Sequence, residues 1–348
     1  LPTLNVAPGL AAGGVFLFAA RMTGDTPLGS SLNTAPPDLS ERESLVLLVR
    51  HWGIEGRLDR LTSERDLNWR VSSDRGRYVL KFANRQEDPE ITRFQNLALQ
   101  HIAARDPTLP VPRVIAATDG ATEVPLADGS LMRLLSWVEG RPAHLAPPSP
   151  QLRRGVGAMA GRLTRALQGF DHPAAGHHLQ WDIKQASGLR SLVPDIADNA
   201  LRALCAQWLD WFDAIRPGLD ALPWQVVHAD LNPHNLLTAE DDATLVAGVL
   251  DFGDMVRTPR ICDLAVAASY QIDPAAPLAS LAEVVDGWAE ALPLLPEESA
   301  LLPGLTAIRM VTTIAITSHR AARWPDNAAY ILRNFPSAKA GILALPRP

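Results

Sequence analysis

The run Gln225-Val226-Val227-His228-Ala229-Asp230-Leu231-Asn232-Pro233-His234-Asn235-Leu236-Leu237 decides how the chain is read, together with its continuation Leu245-Val246-Ala247-Gly248-Val249-Leu250-Asp251-Phe252-Gly253-Asp254. Its apolar start, Trp224 to Val227, has the length of a buried strand and delivers His228-Ala229-Asp230 at its end. A second apolar run, Leu245 to Leu250, ends in Asp251-Phe252-Gly253. The expectation is a β-hairpin-like unit in which two strand ends and one loop bring Asp230, Asn235 and Asp251 to one point. Phosphoryl transfer from a nucleotide calls for that set: one carboxylate to orient the attacking hydroxyl, and an amide oxygen plus a second carboxylate to hold Mg²⁺. Asp-Phe-Gly alone says little, and Asp and Asn in turns also cap backbone groups. The spacing of all three behind apolar strands is the stronger signal.

Toward the N-terminus, Ser40 with Glu43 forms a capping-box pattern that opens a helix carrying Leu45, Leu47, Leu48, His51 and Trp52. Three strand-like segments follow, Arg57 to Leu61, Leu67 to Val71, and Arg77 to Phe82. The last holds Lys81, where a kinase fold places the lysine that contacts the α- and β-phosphates. The rival is an edge-strand lysine with its head in water. The loop Thr62 to Asp66, with Ser63, either offers backbone N–H groups to a phosphate or is an ordinary polar hairpin. Pro89 to Ala104 is a helix with proline in its first turn. Its candidates for orienting the lysine are Glu90 and Gln95. Gln95 is better placed but neutral, so it would supply a hydrogen bond instead of an ion pair. Val111 to Ala117 and Ser130 to Trp137 complete a small sheet, and Ser136-Trp137-Val138-Glu139-Gly140 reads as a hinge whose backbone faces a nucleobase edge.

From Pro142 the pattern is helical. Gly155, Gly157 and Gly161 within Gln151 to Leu167 are not a dinucleotide fingerprint, because no strand precedes them and the spacing is wrong; close helix packing accounts for them. Trp181-Asp182 opens a further helical stretch, and Asn199 to Ile215 carries a core stripe of Leu201, Leu204, Trp208 and Phe212. Helices follow from Arg260, over Leu281 to Leu292, and over Leu301 to Arg323, the last with Arg309 among Ile308, Met310 and Val311. Residues 1 to about 37 read as an extension of unknown order, whose apolar run Leu10 to Ala20 is too short to span a bilayer.

The 348 residues carry a net charge of −6 with both signs mixed, so no basic field points to nucleic acid. Cys205 and Cys262 form no CxxC pair and read as reduced, buried thiols of a cytoplasmic protein. His172, His177 and His178 lack cysteine or clustered acid beside them and read as a polar loop, not a metal site.

Ser63-Glu64-Arg65-Asp66-Leu67-Asn68, Gly248 to Val256, Ser318-His319-Arg320-Ala321-Ala322-Arg323 and Pro325-Asp326-Asn327 resemble the aminoglycoside phosphotransferase and choline kinase superfamily. Within it they look like hydroxylysine kinases, and like kinase domains fused to pyridoxal-phosphate-dependent aminotransferase-like enzymes. The resemblance implies a bilobal, protein-kinase-like α+β fold, with a nucleotide-binding lobe over 38–138 and a mostly helical catalytic lobe over 139–348. It makes Asp230 the catalytic carboxylate, puts Asn235 and Asp251 on Mg²⁺, and sets Lys81 on the phosphates of ATP or GTP. His228 and Asp263 become structural braces, and Asp254 fits either role. The superfamily usually has Glu where Gln95 stands. A protein kinase is disfavoured: Ala229 replaces an arginine, and Asp263 follows Asp251 by only twelve positions, leaving no room for an activation loop.

The implied acceptor is a small amino alcohol or hydroxy amino acid, with no nucleic acid or membrane partner. An amino acid would need a carboxylate for its ammonium and an arginine for its carboxylate, for which Asp182 and Arg309 are candidates. A helix cap and an interhelical pair are the rival readings of these two. An antibiotic phosphotransferase and a nucleotide-binding pseudokinase scaffold, encouraged by Gln95, are the alternatives. Fusion to or pairing with an aminotransferase-like enzyme stays open.

Overall fold

The computed structural model describes residues 36–63 and 66–348. Nearly all of the N-terminal extension, and Glu64-Arg65 of the Thr62 to Asp66 loop, lie outside the described residues.

Helix α1 (Glu41–Trp52) starts where Ser40 Oγ accepts from the Glu43 N–H at 3.2 Å and Glu43 accepts from the Ser40 N–H at 2.9 Å. It stops at Gly53, whose φ of 61° needs no Cβ. Strands β1 (Arg57–Leu61), β2 (Leu67–Ser73) and β3 (Gly76–Phe82) form an antiparallel meander. Helix α2 (Pro89–Arg105) crosses over to β4 (Val114–Ile115), β5 (Val124–Pro125) and β6 (Leu131–Ser136), giving the sheet order β1-β2-β3-β6-β4 with β5 also paired to β6. The expected strand over Val111 to Ala117 shrinks to two residues because β4 meets only the end of β6. One face of this sheet, with Leu67, Trp69, Leu80, Phe82, Met132 and Leu134, packs with Leu48 and Trp52 of α1. The alternate residues Val79 and Leu135 join Phe94, Ala98 and Leu99 of α2 in the other core.

Beyond β7 (Arg141–Pro142) the chain is mainly helical: α3 (Pro150–Ala166), α4 (Asn199–Asp220), α5 (Ile261–Ser269), α6 (Pro277–Ala291), α7 (Pro296–Arg323), α8 (Ala328–Ile331) and α9 (Phe335–Ala344). The stretch from Asp182 is a 3₁₀ helix, Ile183–Ser191. Helix α7 is long and apolar enough to cross a membrane, but 83% of its apolar window is buried inside the protein, so it serves as a core helix. Cys205 and Cys262 are buried, and burial pushes the Cys205 thiol up to about 12.

Four short strands interrupt the helices. The β-hairpin-like unit expected from Gln225 to Asp254 is two nested antiparallel pairs instead. Strand β8 (Trp224–Val227) pairs with β11 (Val256–Pro259), and inside them β9 (Leu236–Thr238) pairs with β10 (Val246–Val249). The two apolar runs are therefore not partners of each other, but both of their C-terminal ends open at one edge.

Candidate active site

The nested pairs aim the loop chemistry. Ala229, with φ of 64°, and Asp251, with φ of 54°, are the two non-glycine residues of positive φ among the described residues, and they sit where β8 and β10 end. Backbone strain of this sort costs energy and persists only when surrounding contacts over-determine it. Those contacts are present. The buried carboxylate of Asp263 accepts from the Ala229 N–H at 2.8 Å and from Thr164 Oγ1 at 2.8 Å. His228, fully buried, lies between the strand ends, with Nε2 2.9 Å from the Leu250 carbonyl and Nδ1 accepting from the Asp230 N–H at 3.3 Å. Its ring meets Phe252 edge-on.

Asp230 is held at both oxygens. Oδ2 accepts from Asn232 Nδ2 and Asn235 Nδ2, each at 2.8 Å, and Oδ1 lies 3.0 Å from Arg309 Nη2. Asn235 spends its amide nitrogen on Asp230, while its backbone carbonyl accepts from the N–H of Leu250 at 2.7 Å, next to Asp251. Thus Asp230, Asn235 and Asp251 meet around one short stretch of backbone. A carboxylate and an amide oxygen are hard donors of the type Mg²⁺ takes, so the set fits that ion. Asp251 Oδ1 also accepts from the Gly253 N–H at 3.2 Å, and Asp254 closes the short 3₁₀ turn that follows.

On the N-terminal sheet, Lys81 pairs with Asp66 at 3.7 Å. Asp66 in turn accepts from the Asn84 N–H and donates its own N–H to Ser63 Oγ, both at 3.2 Å. Gln95 does not meet the lysine. It is buried, and its side-chain oxygen accepts from Arg133, whose other Nη donates to Asn96 at 2.9 Å. Glu90 pairs with Arg93 on the exposed side of α2. In the hinge, Trp137 gives its N–H to the Arg77 carbonyl at 3.1 Å, so a base edge would read the backbone from Val138 onward. Val138 packs where a Cβ on Gly248 would come within 2.6 Å.

Of the two acceptor candidates, Asp182 is spent on structure: it caps the 3₁₀ helix through the Lys184 N–H at 3.0 Å, accepts from Thr258 at 3.0 Å and pairs with Lys184 at 2.8 Å. Arg309 does reach the site, but it faces Asp230, the Trp181 carbonyl at 2.7 Å and Tyr270 Oη at 3.3 Å. His172 accepts from the Ala174 N–H and stacks on Phe94, and His177 Nδ1 lies 2.9 Å from the Ala174 carbonyl. A cavity of about 370 Å³ beside the Asp230–Asn235 loop is lined by His144, Arg153, His234, Tyr270 and Asp273 among others. Arg133 and Tyr270 are not singled out by the sequence reading; for Arg133 the signal is a charge inside the apolar strand Leu131-Met132-Arg133-Leu134-Leu135.

The fold agrees with comparisons to known proteins. The chain is 25% identical to a hydroxylysine kinase of Bos taurus over 327 residues, 85% of this chain and 86% of that one. It is 29% identical to a homoserine kinase of Methylobacillus flagellatus over 248 residues, 69% and 72% of the two chains. The structure of amicoumacin kinase in complex with AMP-PNP and Ca²⁺ superposes with a TM-score of 0.65 at 14% identity, covering 89% of this chain and 96% of that one. Residues 59–299 match the profile of the phosphotransferase enzyme family, and the chain is a member of it, a kinase that transfers phosphate to hydroxyl groups of small molecules.

Proposed function

We propose that this kinase transfers the γ-phosphoryl group of ATP or GTP to the side-chain hydroxyl of a hydroxy amino acid or related amino alcohol, hydroxylysine-like in character. The observation that carries this reading is the state of Asp230, a carboxylate fixed at both oxygens beside Asn235, whose backbone carbonyl holds the residue next to Asp251. The relatives supply the acceptor class: both named kinases act on amino acids with a hydroxyl in the side chain.

Lys81, released from Asp66, contacts the phosphates, and the hinge backbone from Val138 onward holds the base. Asn235 and Asp251 would hold Mg²⁺, which would offset negative charge on the nucleotide phosphates. Asp230 orients the acceptor hydroxyl in line with the γ-phosphorus and receives its proton late. Asp230, held at both oxygens, acts mainly by positioning the hydroxyl, which suits a loose transition state that needs positioning more than proton abstraction. The cavity beside the loop is of a size for one amino acid and presents groups of both signs.

The test is a phosphorylation screen of hydroxylysine, homoserine, ethanolamine, choline and an aminoglycoside, with ATP and GTP, with and without Mg²⁺. Transfer to the amino acids, dependent on Mg²⁺, is expected. Preference for the aminoglycoside would overturn the acceptor assignment, and nucleotide binding without transfer to any acceptor would favour the scaffold alternative.

A further inference from the structure

Asn68, Lys81 and Arg133 stand in one row across three strands. Asn68 is opposite Lys81 in the β2–β3 pair, and Lys81 is opposite Arg133 in the β3–β6 pair. Directly opposed residues share a face of the sheet. Alternation decides which face, because Leu80, Phe82, Met132 and Leu134 all turn into the core under α1. The polar row therefore faces α2 and the cleft.

Two cations side by side on a sheet repel each other. One of them is also buried: Arg133 is 5% exposed. Its guanidinium donates to the side-chain oxygens of Gln95 and Asn96, which are neutral amides. They satisfy its N–H groups without cancelling its charge. The carboxylates that act on it electrostatically are Glu87, Asp66, Asp251 and Glu123, none of them hydrogen-bonded to it. Two of those four, Asp66 and Asp251, are residues of the phosphate site, so the charge of Arg133 is felt at the cleft. Beside it Asn68 keeps a buried side-chain oxygen with no hydrogen-bond partner among the described residues. A buried guanidinium that touches no carboxylate among the described residues is costly, and the cost falls when an anion comes near.

We propose that Arg133 is a positioning residue for the nucleotide polyphosphate. It carries α2 through Gln95 and Asn96 and lends its uncancelled charge to the phosphates that Lys81 contacts. Position 95 is an amide because a carboxylate there would quench that charge. In this arrangement the link between sheet and α2 runs from β6, and Lys81 is left to pair with Asp66 until phosphate arrives. The inference rests on the nucleotide-kinase reading given above.

The decisive variant is Gln95→Glu, which places a carboxylate against Arg133 and is expected to fold. Binding of ATP, ADP and adenosine is measured by calorimetry alongside thermal unfolding, and KM is measured for nucleotide and acceptor. ATP and ADP should bind roughly five- to twentyfold more weakly, as expected when one unit charge is cancelled at close range. Adenosine binding and the acceptor KM should not move, and the melting temperature should hold or rise because the buried guanidinium gains an ion pair. Arg133→Gln should weaken ATP in the same way, and Arg133→Lys should recover part of the loss. ATP binding to Gln95→Glu at wild-type strength, or an equal loss for adenosine, would overturn the role of Arg133 alone. A wild-type chain that binds no nucleotide would overturn the kinase reading and this inference with it.

Discussion

Arg309 Nη2 stands 3.0 Å from Asp230 Oδ1, tying the middle of α7 to the end of β8 across 79 positions of chain. The arginine side chain is 1% exposed and that of the aspartate 20%. Its planar guanidinium lies near the faces of Trp181 and Tyr270, 5.3 and 5.9 Å from their ring centroids, which helps fix its plane. The carboxylate proposed to orient the acceptor is thus aimed by a residue that belongs to a core helix.

Replacing Asp230 with Asn should lower kcat by roughly 10²- to 10⁴-fold, the range for losing one positioned acid–base group. Nucleotide affinity should stay within about twofold, since neither Lys81 nor the hinge is touched. Steady-state rates with a calorimetric ATP titration check both halves. Turnover at the wild-type rate would remove Asp230 from the chemistry.

Arg309→Met separates two roles for the arginine. If it aims Asp230, kcat falls by about 10- to 100-fold with little change in acceptor KM; if it binds an acceptor carboxylate, KM rises first. The geometry favours the first, because the guanidinium already holds Asp230, the Trp181 carbonyl and Tyr270. Stability should drop by about 2–4 kcal/mol, since the variant strands a buried carbonyl and half of an ion pair. Urea unfolding reads that cost. A large rise in KM at constant kcat would restore the substrate-binding role.

Asp263 predicts a pH dependence. Burial raises its carboxyl above the ordinary value of 3.8, against the lowering effects of His228, the Ala229 N–H and Thr164. A group whose folded-state pKa lies above its unfolded one stabilises in its protonated form. That contribution is full below 3.8 and is lost as pH climbs through the raised folded value. From pH 3.8 upward, wild-type stability should therefore gain less per pH unit than that of Asp263→Asn, which carries no such proton. Urea midpoints of both proteins from pH 4 to pH 7 would show the two curves diverging. Parallel curves would mean that the folded and unfolded pKa values of Asp263 coincide.

What could be read beforehand was local. The Asp230–Asn235 spacing, the strand that ends in Asp251 and the strand that carries Lys81 are short-range patterns. So are the Ser40–Glu43 capping box and the glycines of α3. Pairing was harder. Trp224 to Val227 finds Val256 to Pro259, because apolar runs of similar length do not encode their partners. Gln95 was legible as neutral, but its engagement with Arg133 depends on the register of β6 against β3, which no local pattern carries. Asp182 shows the limit from the other side. An aspartate before a helical segment reads equally as a cap or a ligand, and only its contact with Thr258, 76 positions away, shows how it is spent.

The glycines of α3 give a prediction with an internal control. A Cβ on Gly157 would stand 1.9 Å from the Val284 carbonyl oxygen and 3.0 Å from the Trp288 backbone nitrogen, both on α6. On the other side, a Cβ on Gly287 would meet the Arg154 carbonyl oxygen at 1.9 Å. These neighbours are backbone, so no rotamer change makes room and the helices must separate. Gly157→Ala should therefore cost about 3 kcal/mol or more, at the upper end of overpacking effects, despite alanine's better helix propensity. Gly218, in α4, has nothing within 4 Å of where a Cβ would stand. The same change there should stabilise by about 0.5–1 kcal/mol. Because α3 also carries Thr164, which donates to Asp263, splaying α3 from α6 should slow turnover as well. Unfolding curves and kcat for the two alanine variants make the comparison, and equal stabilities would show that the α3–α6 contact is not as close as the structure has it.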